Sequence, residues 1–223
     1  MHESAFNMID YTLWEHITFA VGCFLWVIVY IIIIRNIKKF QFIEIPMVAI
    51  CFNFAWEVLW SWVFYTDMGY VYQWGYRAWF FLDCFIVYSV IRYGHKQLVS
   101  MPKQFAHIIL LVGVASAFAI LYPYIDIYDQ PISKMGGYTG FLVNLFNSAL
   151  FISLILRKKD ITLFSEWVAW LKFLGTGLVT VFAFLKFTDP FLLNMGVVVA
   201  VLDIIYITTY YRMKSGKLNV SME

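Results

Sequence analysis

Charge is what this sequence has least of. Of its 223 residues only 13% are Asp, Glu, Lys or Arg, where a soluble domain carries about a quarter. That shortage excludes an ordinary water-facing surface. The 16 basic and 14 acidic residues leave a net charge of +2, and the basic ones fall in short loops, which excludes a nucleic-acid-binding face. Cysteine is scarce as well. Cys23, Cys51 and Cys84 sit inside apolar blocks without paired metal-ligand spacing, so they read as buried thiols. The sequence holds no DDxxD or DxDD box, no HExxH and no glycine-rich phosphate loop, which removes the metal and nucleotide chemistries those motifs support. Pro- or Gly-rich linkers and low-complexity stretches are missing too.

What is present is hydrophobic sequence in blocks. Apolar residues make up 62% of the chain and its mean hydropathy is +0.76. The blocks run near twenty residues, the length that crosses a hydrocarbon core of ~30 Å. Seven spans are expected, at about 13–34, 45–65, 77–94, 105–123, 136–157, 167–188 and 190–211. The fold class is therefore an all-α seven-transmembrane-helix bundle, a single domain over 1–223. Met1 to Tyr11 has no Lys or Arg and the run after it is too long for a signal-peptide core, so the first block is read as a span. Pro46 fits the first turn of the second helix, and Asp189-Pro190 makes the turn into the seventh.

Orientation follows from the positive-inside rule. Arg35, Lys38 and Lys39, then Arg92, Lys96 and Lys103, then Arg157, Lys158 and Lys159, and finally Arg212, Lys214 and Lys217 lie on one side. The other side has only Arg77, Lys134 and Lys186. The N-terminus is expected outside or in the lumen and the C-terminus in the cytoplasm.

Ionisable groups inside spans carry the most information, because a carboxylate at a helix centre costs ~3 kcal/mol on insertion scales and faces the bundle interior. Glu57 lies mid-way along the second span and Asp203 mid-way along the seventh. Asp83 is read as two turns into the third, nearer the outer face. Asn53, Glu57 and Trp60 share one helical stripe at i, i+4 and i+7. Trp79 precedes Asp83 by four residues, and Asp203 shares a face with Tyr206 and Tyr210. The bland alternative is that such acids bond across helices as packing contacts. Lys172 is expected to snorkel to the interface, Asn144, Asn147 and Ser148 to bridge helices or line a pocket, and Glu15 and His16 to be interfacial.

A retinal protein is excluded, since position 207 is Ile and the seventh span has no lysine for the Schiff base. The remaining chemistry is a cofactor-free cavity of carboxylic acids and aromatics. Desolvation favours the protonated form of a carboxylic acid, and dry aromatic faces stabilise cations by up to ~2 kcal/mol each. That combination suits protonation of a lipophilic substrate and passage through carbocations.

Asn53-x-x-Trp56-Glu57, the Trp79-x-x-x-Asp83 of the third span and the lone Asp203 of the seventh resemble the integral membrane terpene cyclases of meroterpenoid and indole-diterpene pathways. The likeness covers essentially the whole chain. It implies a non-redox enzyme that protonates an epoxide or alkene of a prenylated substrate and cyclises it without cofactor or metal. It also implies that Glu57 and Asp203 are the proton donors and that Asn53 orients Glu57. Asp83 would be a supporting acid or terminal base. Trp56, Trp60, Trp79, Tyr206 and Tyr210 would hold substrate and stabilise cations. The implied partners are a prenylated small molecule and the bilayer, of the endoplasmic reticulum or of a bacterial plasma membrane. The competing reading is a small-solute carrier with a 3+1+3 helix repeat, suggested by the echo of Leu82-Asp83 in Leu202-Asp203. A scaffold protein is a third.

Overall fold

Each helix begins where the local chemistry requires. A computed structural model describes residues 4–98, 102–158 and 160–217. Thr12 and Glu15 form a reciprocal capping box that starts α1, Leu13–Phe40. Pro46 precedes α2, Met47–Val58, which runs on as a π-helical turn, Leu59–Val63. Gly69 leads into α3, Tyr70–Tyr93. Pro102 precedes α4, Lys103–Tyr124, which continues through a second π-helical turn, Ile125–Asp129, and the short piece Gln130–Ile132. α5 is Gly137–Lys158 and α6 is Glu166–Lys186. Asp189 caps α7, Pro190–Lys214, accepting from the Phe191 amide at 2.8 Å.

The all-α, seven-helix expectation holds, with no strand among the described residues. Five of the helices are long and apolar enough to cross a membrane, and Met47–Val63 is apolar but shorter. α3 departs most from expectation, starting seven residues before Arg77. The guanidinium that looked like a boundary lies flat over the rings of Trp62 and Trp74, 5.0 and 4.6 Å from their centroids, and is accommodated within the second turn. Lys159, one of the basic loop residues, lies outside the described residues.

α1 packs along α6, α7 packs on α5 and α6, and α2 packs on α3, α4 and α5. The α1–α6 contact depends on two glycines. A Cβ on Gly22 would stand 2.8 Å from the Gly175 carbonyl oxygen, so small residues let these backbones meet. At the basic end, Gln97 fastens the loop before α2, donating to the Ile43 and Ile45 carbonyls at 2.7 and 2.6 Å and accepting from the Met47 amide at 2.8 Å. In that loop Glu44 is 1% exposed and accepts from the Ser165 amide at 3.0 Å. Burial pushes its carboxyl up to about 8.

At the opposite end, the segment before α1 folds over the bundle. Asn7 donates its amide to the Met68 carbonyl at 2.9 Å. His16 is buried, bonded through Nδ1 to the Tyr72 hydroxyl at 2.9 Å and through Nε2 to the Asn7 carbonyl at 3.1 Å. Glu15 is buried as well. The expectation that this pair is interfacial is corrected, because the folded-over segment shields it.

Candidate active site

Five helices enclose one aromatic cavity, with about 850 Å³ of empty space including its open side. Phe19, Cys23, Trp26 and Tyr30 of α1 line it, and Asn53, Trp56 and Glu57 of α2. α3 adds Tyr76 and Trp79, α5 and the loop before it add Gly136 to Asn147, and α6 adds Val179, Phe182 and Ala183. Glu57 is the one carboxylic acid in this lining.

Glu57 is 4% exposed. One oxygen, Oε1, accepts from the Tyr30 hydroxyl at 3.1 Å. Its carboxyl is also within hydrogen-bonding reach of Asp83, which in turn reaches Tyr30. Glu57 Oε2 and Asp83 Oδ2 have no conventional donor as partner. Two carboxyls can bond to each other only when one supplies a proton, so the arrangement suits a pair that holds one proton between them. Because α3 begins at Tyr70, Asp83 lies thirteen residues in, or about 20 Å. It faces Glu57 near mid-helix rather than sitting at the outer face, which corrects the two-turn reading.

Asn53, one turn from Glu57 on the same stripe, accepts at Oδ1 from Asn147 Nδ2 at 2.9 Å. That bond ties α2 to α5. The cavity wall nearer the other end is fixed by Asp129, which is fully buried. Asp129 accepts from the Tyr138 and Thr139 amides at 3.2 and 2.8 Å, in the first turn of α5, and from the Ser133 and Thr139 hydroxyls. Thr139 Oγ1 then accepts from the Trp56 indole at 2.9 Å and the Trp60 indole at 3.4 Å. Gly136 has φ +85° and a Cβ there would lie 2.7 Å from Trp56. Only glycine fits the turn and the ring together.

Of the residues singled out in the sequence, Asn53, Trp56, Glu57 and Trp79 line the cavity. Trp60 is packed behind Trp56, their centroids 6.3 Å apart, and is fully buried. Asp83 stands behind Glu57. Asp203, Tyr206 and Tyr210 are buried but outside the lining. Asp203 is ion-paired to Lys172, whose Nζ also donates to Ser148 Oγ at 2.6 Å. Lys172 is 1% exposed, which overturns the snorkelling expectation. The reason is that Asp203 and Ser148 offer it charge and a hydroxyl inside the bundle. Tyr206 stacks edge-on against Phe151 at 5.4 Å, and Tyr210 against Tyr211 at 5.5 Å.

Sequence reasoning missed Tyr30 and Trp26. Their signal was the Phe19, Cys23, Trp26, Tyr30 stripe at helical spacing, hidden because every face of α1 is apolar. Among the described residues no His/Cys/Asp/Glu group has the arrangement of a metal site.

Residues 4–216 match the family described as Pyr4-like transmembrane terpene cyclases. A relative named Pyr4-family terpene cyclase mfmH, from Annulohypoxylon moriforme, is 24% identical over 65% of this chain and 59% of its own. Terpene cyclase andB of Emericella variicolor is 23% identical over 86% of each chain. Terpene cyclase ascF of Acremonium egyptiacum is 25% identical over 92% of this chain and 83% of its own. The aligned part spans less than two thirds of the first of these relatives. No solved structure matches.

Proposed function

This chain belongs to the family of Pyr4-like transmembrane terpene cyclases, and from that premise we propose that it cyclises a prenylated, lipophilic substrate by protonation within the bilayer. The carrying observation is that Glu57 is the one carboxylic acid in the lining of a cavity otherwise made of aromatic, apolar and amide side chains. Its carboxyl gives a proton to a terminal epoxide or alkene, leaving a carbocation that the chain's own double bonds attack in turn. The last cation loses a proton or is captured by a nucleophile of the substrate, so the reaction is an isomerisation without redox change. Trp26, Trp56, Tyr76 and Trp79 present ring faces to the cation, and the dry wall keeps water from quenching it.

Tyr30 and Asp83 act through Glu57. The phenol steadies one oxygen, and Asp83 shares the proton and restores it between turnovers. Asn53, held by Asn147, fixes the stripe on which Glu57 sits. Asp203 serves as the ion partner of Lys172 in a second polar cluster, not as a donor in contact with substrate.

The basic loops and the folded-over N-terminal segment support a topology with the N-terminus outside or lumenal and the C-terminus cytoplasmic. Tags at the two ends, tested for protease protection in sealed membranes, would check it; protection of both tags or of neither would sink it.

The test of the reaction is incubation of the detergent-purified protein with an epoxyfarnesylated phenol, read by mass spectrometry. A cyclised isomer of unchanged mass, lost with Glu57→Gln, is the expected result. Cyclisation by Glu57→Gln at the parent rate would overturn the assignment of the acid.

A further inference from the structure

We infer that the substrate lies in the cavity with its reacting terminus at mid-bundle and its head group toward the end opposite the basic loops. This rests on the reading of Glu57 as the acid.

The space around Glu57 is one-sided. Every lining residue of the helices lies between the floor and the non-basic end: α1 up to Tyr30, α2 from Asn53, α3 up to Trp79, α5 up to Asn147 and α6 from Val179. Glu57 is ten residues into α2 from the basic end, and Asn147 ten residues into α5 from the other. At 1.5 Å per residue each is about 15 Å in, which sets the floor near the middle of the bundle. On the basic side of that floor the helices close on apolar side chains, with Ile50, Ile86 and Leu154 fully buried. A chain whose terminus touches Glu57 therefore has only one direction in which to extend.

Polarity is distributed in the same sense. In the lining, the buried polar atoms without a partner are Glu57 Oε2, Trp79 Nε1, Asn144 Oδ1 and Asn147 Oδ1. Toward the non-basic end the lining is Met135, Gly136, Phe182 and Phe187, with no such atom among the described residues. A buried donor or acceptor left unpaired costs about 1–3 kcal/mol. The floor is thus suited to a leading terminus that brings an oxygen, able to accept from Trp79 and, once protonated, to donate to an amide oxygen. The Met, Gly and Phe section suits hydrocarbon and the face of an aromatic ring.

Two photoaffinity probes test this directly. Both are farnesylated phenols, one with a diazirine on the terminal carbon of the chain and one with the diazirine on the ring. Each is bound to the purified full-length protein in the dark, irradiated, and the labelled peptides are mapped with and without excess unlabelled farnesylated phenol. The expected result is competed labelling of 53–57 and 79–83 by the terminal probe and of 135–141 and 182–187 by the ring probe. The reversed pattern would overturn the orientation while leaving the cyclase reading intact. Competed labelling confined to residues outside the cavity would overturn the site itself. Expected labelling together with no cyclised product from the epoxyfarnesylated phenol would sink the cyclase reading and leave the orientation standing.

Discussion

Lys172 of α6 and Asp203 of α7 form an ion pair inside the bundle, with side chains 1% and 2% exposed. Lys172 Nζ lies 5.6 Å from the Phe151 ring and 6.0 Å from that of Trp26, a residue of the cavity wall. Two charges so placed are costly to desolvate, and each depends on the other.

Removing one partner is expected to destabilise the protein by about 3–5 kcal/mol, because the other charge is stranded in an apolar setting. Lys172→Met and Asp203→Leu alone should each lower the melting temperature in detergent. The double variant should recover most of the loss and still cyclise. A double variant that melts like the parent but makes no product would show Asp203 to be a donor after all.

Tyr30→Phe removes the hydroxyl that donates to Glu57 at 3.1 Å and keeps the ring. Losing one hydrogen bond of this kind amounts to about 1–1.5 kcal/mol, near a tenfold fall in kcat, with KM little changed. A change confined to KM would point to Tyr30 as a substrate contact instead of a group that positions the acid.

Thr139→Val keeps the shape of the side chain and deletes the oxygen that both indoles share. It should cost about 1–3 kcal/mol of stability, since buried donors lose their acceptor. Trp56 would then tilt more freely over the cation path, so the product mixture should shift toward partly cyclised isomers. Gas chromatography of the products reads this, and an unchanged mixture would show that the ring does not guide the folding of the chain.

Glu44 gives a pH dependence of stability. Its folded-state carboxyl titrates near 8, against about 4.3 in an unfolded chain. Between those values the folded protein keeps a proton that the unfolded one releases. Stability is therefore greatest at the acid end, falls as pH rises through that window and levels off above it. Glu44→Gln keeps an acceptor for the Ser165 amide and cannot ionise. Melting scans from about pH 5 to 9 should find the variant gaining on the parent as pH rises. Parallel curves would mean that Glu44 titrates normally.

Much of this was legible before any coordinates, and the reason is energetic. Charge is so expensive in a bilayer that its position declares both the spans and the residues kept at a cost, so Glu57, Asp83 and Asp203 stood out at once. Their partners did not. Which acid meets which is decided by how helices far apart in sequence pack, and nothing in the Asp203 stripe announces Lys172, thirty-one residues earlier. Asp83 was placed too shallow because Arg77 looked like a helix boundary. Its stacking between Trp62 and Trp74 is a tertiary fact. Tyr30 was invisible for the opposite reason, as a single phenol on a helix with no polar face to orient it. The hydrogen-bonded anchor at Asp129 was passed over as a loop charge, although its amide acceptors lie nine and ten residues further on.

The π-helical turn at Leu59–Val63 bears on how length may vary in this protein. There the Phe64 amide reaches back five residues to the Leu59 carbonyl at 2.7 Å, so the turn holds one residue more than an α-helix would need. A single-residue deletion at this point would cost the helix almost nothing locally, because ordinary bonding could close the gap. It would nevertheless swing everything after it by about 100°. The Trp60 and Ser61 carbonyls would be drawn away from the Gln73 amide they now accept from at 2.7 and 3.1 Å. A gap of one residue here is thus a different matter from a gap in a surface loop: it re-indexes α2 against α3 just beyond the acid.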